Sequence, residues 1–261
     1  MSGQDDHVEE YDDAMVAMLE LIWGEDFMAP GGADTVHRIV RGLDLRDKLL
    51  LDIGCGIGGG DLVLAGELGA RVIGIDLVGP NLARARAYAD KAGLADRIEF
   101  RQVEPGPIAF DDETFDVVYS CGAFIHMPDK AAMFAEVKRV LKPGGVLAGY
   151  DWLRGPGPTS EEMAYWLELE GLSFEMETLQ AYLLQLAAAG FTDVAGESDG
   201  GWYAEESRAE LARMKGPLRD PILDALGRDK YEHFLEDFRM TTVVSGSGEL
   251  RPGYFRGIKS A

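Results

Sequence analysis

Basic residues are scarce in this chain. Lys and Arg number 25 against 46 Asp and Glu among 261 residues, a formal net charge of −21. A surface that negative repels phosphate backbones and anionic lipid, so nucleic-acid and membrane-surface partners are not expected. Cysteine is scarcer still: Cys55 and Cys121 are too few for a disulfide scaffold or a structural zinc site. No apolar run approaches the roughly 20 residues of a membrane span. The acidic start, Met1 to Glu10, lacks the basic beginning and apolar stretch of a signal peptide. Internal repeats and low-complexity linkers are missing too. The expectation is a cytoplasmic protein in a reducing compartment, with no bound metal. What is present suffices for a sizeable core, since hydrophobic residues make up 46% of the chain.

The apolar pattern changes period along the chain. Met15, Met18, Leu19 and Ile22 recur at helical spacing, as do Val36, Ile39, Val40 and Leu43. Leu49 to Ile53 is instead a short apolar run breaking into glycine, which suits a strand buried on both faces. Strands are then predicted at 48–53, 71–76, 98–103, 115–120 and 144–150, with helices at roughly 59–69, 80–93 and 130–141 between them. Such alternation implies right-handed β-α-β units and a parallel sheet. Further on, 160–170 and 177–189 look helical, 191–197 extended, and 204–239 helical with breaks at Pro217 and Pro221. Gly253 to Ile258 reads as a closing strand, so the helical block would interrupt the last hairpin and lie over the site as a lid.

The most informative stretch is Leu51-Asp52-Ile53-Gly54-Cys55-Gly56-Ile57-Gly58-Gly59-Gly60. Glycine after a buried strand lets the backbone turn sharply and lets a ligand approach without a Cβ in the way. Gly54, Gly56 and Gly59 also satisfy a dinucleotide fingerprint, which alone is weak. Asp76 ends the next strand, where a carboxylate can accept both ribose hydroxyls of a nucleoside. Asp52, two positions before the first glycine, suits a cationic amino-acid tail better than a dinucleotide. Phe115-Asp116-Val117-Val118-Tyr119-Ser120 and Leu141-Lys142-Pro143-Gly144-Gly145 follow in order.

With those three stretches the chain resembles the class I S-adenosylmethionine-dependent methyltransferases over about residues 48–152. The resemblance implies an α/β, Rossmann-like, seven-stranded and mostly parallel sheet whose last strand is antiparallel. It implies a single domain: an N-terminal helical cap (1–47), a cofactor-binding core (48–152), and C-terminal strands (153–261) with a helical lid at about 203–239. For S-adenosyl-L-methionine it assigns Gly54, Gly56 and Gly58 to the methionine side with Asp52 close by, Asp76 to the ribose and Leu77 to the adenine. Glu104 stands where the family often has Asp for the adenine amino group. Cys55 and Cys121 are expected to be small packing residues beside the cofactor rather than nucleophiles.

The segment from Tyr11 through Trp23-Gly24-Glu25-Asp26-Phe27-Met28-Ala29-Pro30 is similar to the start of the phosphoethanolamine N-methyltransferases. There it closes over the cofactor, which places Met28 and Ala29 at that site. Gly253-Tyr254-Phe255-Arg256 is similar to their ending. The resemblance implies a catalytic pair of Tyr11 and His126, an arrangement suited to taking a proton from an amine near neutral pH. The plainer alternatives are a structural histidine at a loop start and a tyrosine ring packed on the core.

Several positions depart from that family. Gly122 replaces an acid and Trp152 a tyrosine, while the stretch expected to hold a substrate phosphate reads Glu168-Leu169-Glu170-Gly171-Leu172-Ser173-Phe174, with Leu172 at an arginine's position. Trp152, Glu168 and Phe174 are therefore the expected acceptor residues, suited to an ammonium group without a phosphate. Arg239, Arg251 or Arg256 folding over the site would restore a phosphate contact. The expected activity is methyl transfer to a small-molecule amine. The alternatives are an O-methyltransferase, an NAD-dependent oxidoreductase and a silent cofactor-binding module.

Overall fold

The structure is a computed structural model and describes residues 13–260. Seven strands form one sheet: β1 (Leu49–Ile53), β2 (Arg71–Asp76), β3 (Ile98–Gln102), β4 (Phe115–Cys121), β5 (Leu141–Asp151), β6 (Phe191–Ser198) and β7 (Gly253–Lys259). The spatial order is β3-β2-β1-β4-β5-β7-β6. Neighbours pair in parallel except at β7, which runs antiparallel to both β5 and β6. β1 and β4 lie at the centre and bury nearly every residue, which is why their sequences read as continuous apolar runs. β6 is an edge, and it exposes most of its side chains.

The helices are α1 (Asp13–Trp23), α2 (Gly32–Ile39), α3 (Gly59–Gly66), α4 (Gly79–Ala92), α5 (Lys130–Val140), α6 (Glu161–Glu170), α7 (Leu179–Ala188), α8 (Gly200–Lys215), α9 (Arg219–Leu226) and α10 (Arg228–Ser247). Three begin at side-chain caps, where Asp129, Ser160 and Thr178 each accept an N–H of the first turn. Two apolar cores cover the two faces of the sheet, one containing Leu50, Val72 and Leu82, the other Leu51, Val118 and Phe134. The alternation within β1 sends Leu50 and Leu51 to opposite faces, as a doubly covered strand requires.

The late helical block is longer than the predicted 204–239. α8 starts at Gly200, and α10 runs to Ser247 before Gly248 ends it at φ 81°. Val244 and Ser245 are buried on this extra turn. The block does interrupt the β6–β7 hairpin. Its apolar faces pack on α1, with Met18 and Ile22 meeting Met214, Phe234 and Phe238. No described helix is long and apolar enough to cross a membrane.

Arg38 of α2 ties this helical layer to the sheet. Its two terminal nitrogens donate to the two carboxylate oxygens of Asp199 at 2.7 Å each. Its guanidinium lies 4.5 Å from the ring centre of Tyr254 on β7. Tyr254 Oη donates to the same carboxylate at 3.2 Å. Asp199 is buried, so removing the arginine leaves a charge without its main partner. Arg38→Ala is expected to cost roughly 2–3 kcal/mol in urea unfolding, because breaking a buried pair leaves the desolvated partner behind. A loss below about 0.5 kcal/mol, the level of an exposed pair, would show that Asp199 is not dependent on it.

Candidate active site

The strand order reverses between β1 and β4, so a crevice opens at their carboxyl ends. The turn after β1 carries positive φ at Gly54 (75°), Gly56 (55°) and Gly58 (90°). At Gly54 a Cβ would also stand 2.3 Å from the Cβ of Ala123, so only glycine fits there. Asp76, at the end of β2, fixes the tip of this turn by accepting the N–H of Gly56 at 2.9 Å and that of Val78 at 2.8 Å. The segment after α1 lies against the same turn, for a Cβ on Gly56 would be 3.3 Å from the sulfur of Met28.

These elements enclose a cavity of about 800 Å³. Asp52, Gly54, Gly56, Asp76, Leu77, Glu104, Met28, Ala29, Cys121 and His126 all line it, together with the unforeseen Gly59, Gly60, Ile57 and Asn81. Gly58 does not. It caps α3, and a Cβ there would press on Ala85 and Phe100 at 3.0 Å, so its glycine serves the turn and helix packing. Lys and Arg are absent from the lining among the described residues, whereas Asp26, Asp52, Asp76 and Glu104 are present. That set suits a cation better than a pyrophosphate.

Asp52 is 3% exposed, and no N–H or hydroxyl of the described residues reaches its Oδ1. Burial, and then the charge of Asp76, push this carboxyl up to about 8. Asp61 of α3 is fully buried next to it and is raised too, by burial and then by Asp52. Nothing in the residue pattern marked Asp61, which is a polar residue at a core position. Burial also pushes both thiols up, Cys121 to about 12, so neither is a thiolate nucleophile.

A smaller cavity of about 100 Å³ adjoins the first. Met28, Ala29, Cys121, Gly122 and His126 line both, and therefore mark the junction. His126 ends the short 3₁₀ turn Phe124–His126 after β4, and its ring centre is 5.3 Å from that of Phe174. Beyond the junction the walls mix aromatic rings with aliphatic side chains. Trp152 stacks on Trp166 at 6.0 Å and 3°, and meets Tyr203 edge-on at 5.2 Å. Two acids complete this end: Glu170 at the close of α6 and Asp237 of α10. Asp237 is 6% exposed, and its Oδ1 meets no N–H or hydroxyl of the described residues. Burial raises Asp237 to about 7, while burial and the charge of Asp237 raise Glu170.

Trp152 and Phe174 thus occupy the small cavity as expected, and Glu168 does not. It faces solvent, because two residues along a helix turn the side chain to the far side. Glu170 takes that place, aligned with buried Trp166 and Met163 on the inner face of α6. Leu172, at the position the resemblance gives to arginine, also lines the cavity. Arg239 pairs with Glu236, Arg256 donates to the carbonyls of Ile39 and Arg41, and neither they nor Arg251 line either cavity. Tyr11 lies outside the described residues. Asp237 was missed by sequence because its spacing is that of any polar residue on a long charged helix.

Comparison with known proteins agrees with this geometry. Residues 51–149 match the family model described as a methyltransferase domain. The motifs and this match show a methyltransferase domain of the class I S-adenosylmethionine-dependent kind, a class whose cofactor is S-adenosyl-L-methionine. Within that class it is similar to a phosphoethanolamine N-methyltransferase of Triticum aestivum, 33% identical over 245 residues, which are 94% of this chain and 48% of that one. A sterol 24-C-methyltransferase of Gibberella zeae is 34% identical over 181 residues, covering 64% of this chain and 47% of the relative. The chain spans about half the length of these curated relatives. Among solved structures, the fold matches phosphoethanolamine N-methyltransferase 2 of Haemonchus contortus in complex with phosphomonomethylethanolamine and S-adenosylhomocysteine. That match has a TM-score of 0.92 at 24% identity, over all of this chain and 61% of the other.

Two outcomes follow from the site. Asp76→Ala should weaken S-adenosylhomocysteine binding by roughly ten- to hundredfold in calorimetry, as expected for losing about 1.5–3 kcal/mol of hydrogen bonding to a charged group. Affinity within about threefold of wild type would overturn the ribose role that the resemblance implies for Asp76. Asp237 bears on stability. A folded-state carboxyl held near 7 keeps a proton that the unfolded chain loses near 4, so stability falls as pH rises through that window. Asp237→Asn removes this penalty. Its melting temperature should gain on wild type by at least about 2 °C more at pH 8 than at pH 5 in thermal scans.

Proposed function

We propose that the protein transfers a methyl group from S-adenosyl-L-methionine to the nitrogen of a small amine that carries no phosphate. One observation carries this reading. The small cavity shares His126 with the large one, is lined by aromatic rings, the buried Asp237 and the half-buried Glu170, and has no Lys or Arg among its described lining residues.

The larger cavity fits the cofactor. Asp52, with a buried and unanswered oxygen, suits the cationic amino group of the methionine tail, and Asp76 suits the ribose hydroxyls. Leu77 and Glu104 would flank the adenine, and Met28 and Ala29 would close the near side. Bound S-adenosyl-L-methionine supplies an electrophilic methyl group on a sulfonium. The chain's own work is to hold the acceptor nitrogen in line with that methyl group and to exclude water. His126, on the junction, is placed to receive the proton an amine must shed, in the pairing with Tyr11 that the resemblance implies.

The wheat relative is named for phosphoethanolamine and the Gibberella relative for a sterol. A tetracyclic sterol has no room in about 100 Å³. A phosphate would need arginine, lysine or a helix N-terminus, and would here meet Glu170, Asp237 and Leu172. Aromatic faces and carboxylates favour an ammonium group instead.

The test is a panel of acceptors assayed by release of S-adenosylhomocysteine. Small amines without phosphate should be methylated at least about tenfold more efficiently than phosphoethanolamine, a difference of about 1.4 kcal/mol in transition-state binding. Preference for phosphoethanolamine would overturn the reading. With the best acceptor, His126→Ala should lower kcat at least about tenfold while leaving S-adenosylhomocysteine affinity unchanged, as for loss of a positioned base. Full kcat across the pH range would leave positioning as the whole mechanism.

A further inference from the structure

Glu170 and Asp237 line the small cavity and do not line the large one. They stand beyond the junction formed by Met28, Ala29, Cys121, Gly122 and His126, on the side away from the methyl donor. A group of the acceptor bound there is therefore not the nitrogen that reacts. We propose that these two acids form a subsite for a second cationic group of the acceptor, so that the substrate is a short diamine. This rests on the reading of the protein as a methyltransferase for phosphate-free amines.

Asp237 is on the middle of α10 and is 6% exposed, with Oδ1 unmet by any N–H or hydroxyl of the described residues. Its position is set by helix packing. The Trp166 indole N–H donates to Thr241 Oγ1 at 2.9 Å, and the Thr241 hydroxyl donates to the Asp237 carbonyl at 3.0 Å, which clamps α6 against α10. A desolvated acid in such a place is costly unless a donor from elsewhere answers it. An ammonium group supplies three N–H donors and the opposite charge, and the neighbouring faces of Trp152 and Tyr203 add cation–π attraction. The cavity of about 100 Å³ limits the acceptor to fewer than about ten heavy atoms.

Among the described residues, the other ionisable groups that line this cavity are His126 from the turn after β4, Cys121 from β4 and Tyr203 from α8, and Glu210 lies near Tyr203. No Lys or Arg of the described lining offsets them. In the free protein burial raises both acids, and the charge of Asp237 raises Glu170 as well, so the pair holds part of a proton near neutral pH. A cation entering the subsite expels that proton. An anion entering it would take one up.

The experiment uses the whole chain with 1,3-diaminopropane, 3-aminopropan-1-ol and phosphoethanolamine as acceptors. The diamine should have a kcat/KM at least about tenfold above that of the amino alcohol of equal length. Calorimetry of diamine binding to the S-adenosylhomocysteine complex, run at pH 7 in buffers of different ionisation enthalpy, should show net proton release. Glu170→Gln and Asp237→Asn should each raise the diamine KM about tenfold and abolish its advantage, with kcat and S-adenosylhomocysteine affinity little changed. Equal use of diamine and amino alcohol, absence of diamine binding, or proton uptake would overturn the subsite while leaving the amine reading in place. Preference for phosphoethanolamine would instead overturn that reading, and the subsite with it.

Discussion

One carboxylate holds two turns of the chain together. Asp76 accepts the N–H of Gly56 from the turn after β1 and that of Val78 from the turn after β2. Both turns sit at the carboxyl ends of neighbouring parallel strands, where the backbone has left the ladder and needs other partners. With the glycine turn pinned, α3 starts in a fixed direction and the segment around Met28 has a floor to lie on. The larger cavity is the space these three pieces leave between them. A looser carboxylate would blur all of its walls at once.

The helical layer is the second consequence of chain order. Because β7 returns between β5 and β6, the residues linking β6 to β7 have room to grow outward without disturbing the sheet. That link became α8, α9 and α10, and its apolar face meets α1 rather than the sheet. The smaller cavity lies where this packing is incomplete, between aromatic rings of α10, α8 and the strand ends. The early and late ends of the described chain thus share one wall, braced by Arg38 and Asp199.

Charge gives the site its chemical character. An excess of acidic residues could have remained on the surface, yet Asp52, Asp61, Asp237 and Glu210 are all buried. Glu210 is partly answered by the indole N–H of Trp23 at 2.6 Å, and burial still raises it to about 7. Such groups destabilise the fold unless a proton or a cation accompanies them. Both cavities therefore favour positively charged ligands by the same electrostatics, and the described lining offers no Lys or Arg to an anion.

Features of short range were fixed by sequence alone. The alternation of strands and helices, the glycine turn and the acid ending β2 depend on local period and backbone freedom, and each stands within a few residues of its expected place. The expected meeting of Asp52, Leu77 and Cys121 at one crevice followed from the ends of parallel strands lying together. Tertiary structure decided what distance along the chain conceals. Only the rotation of α6 against α10 selects Glu170 over Glu168 and brings Asp237 to face it. Only packing shows that Arg239 and Arg256 bind their own neighbours, and that Asp61 lies behind Asp52. A single charged residue on a helix has the same local signature whether solvent or a cavity lies before it, since the element that encloses it is remote in sequence.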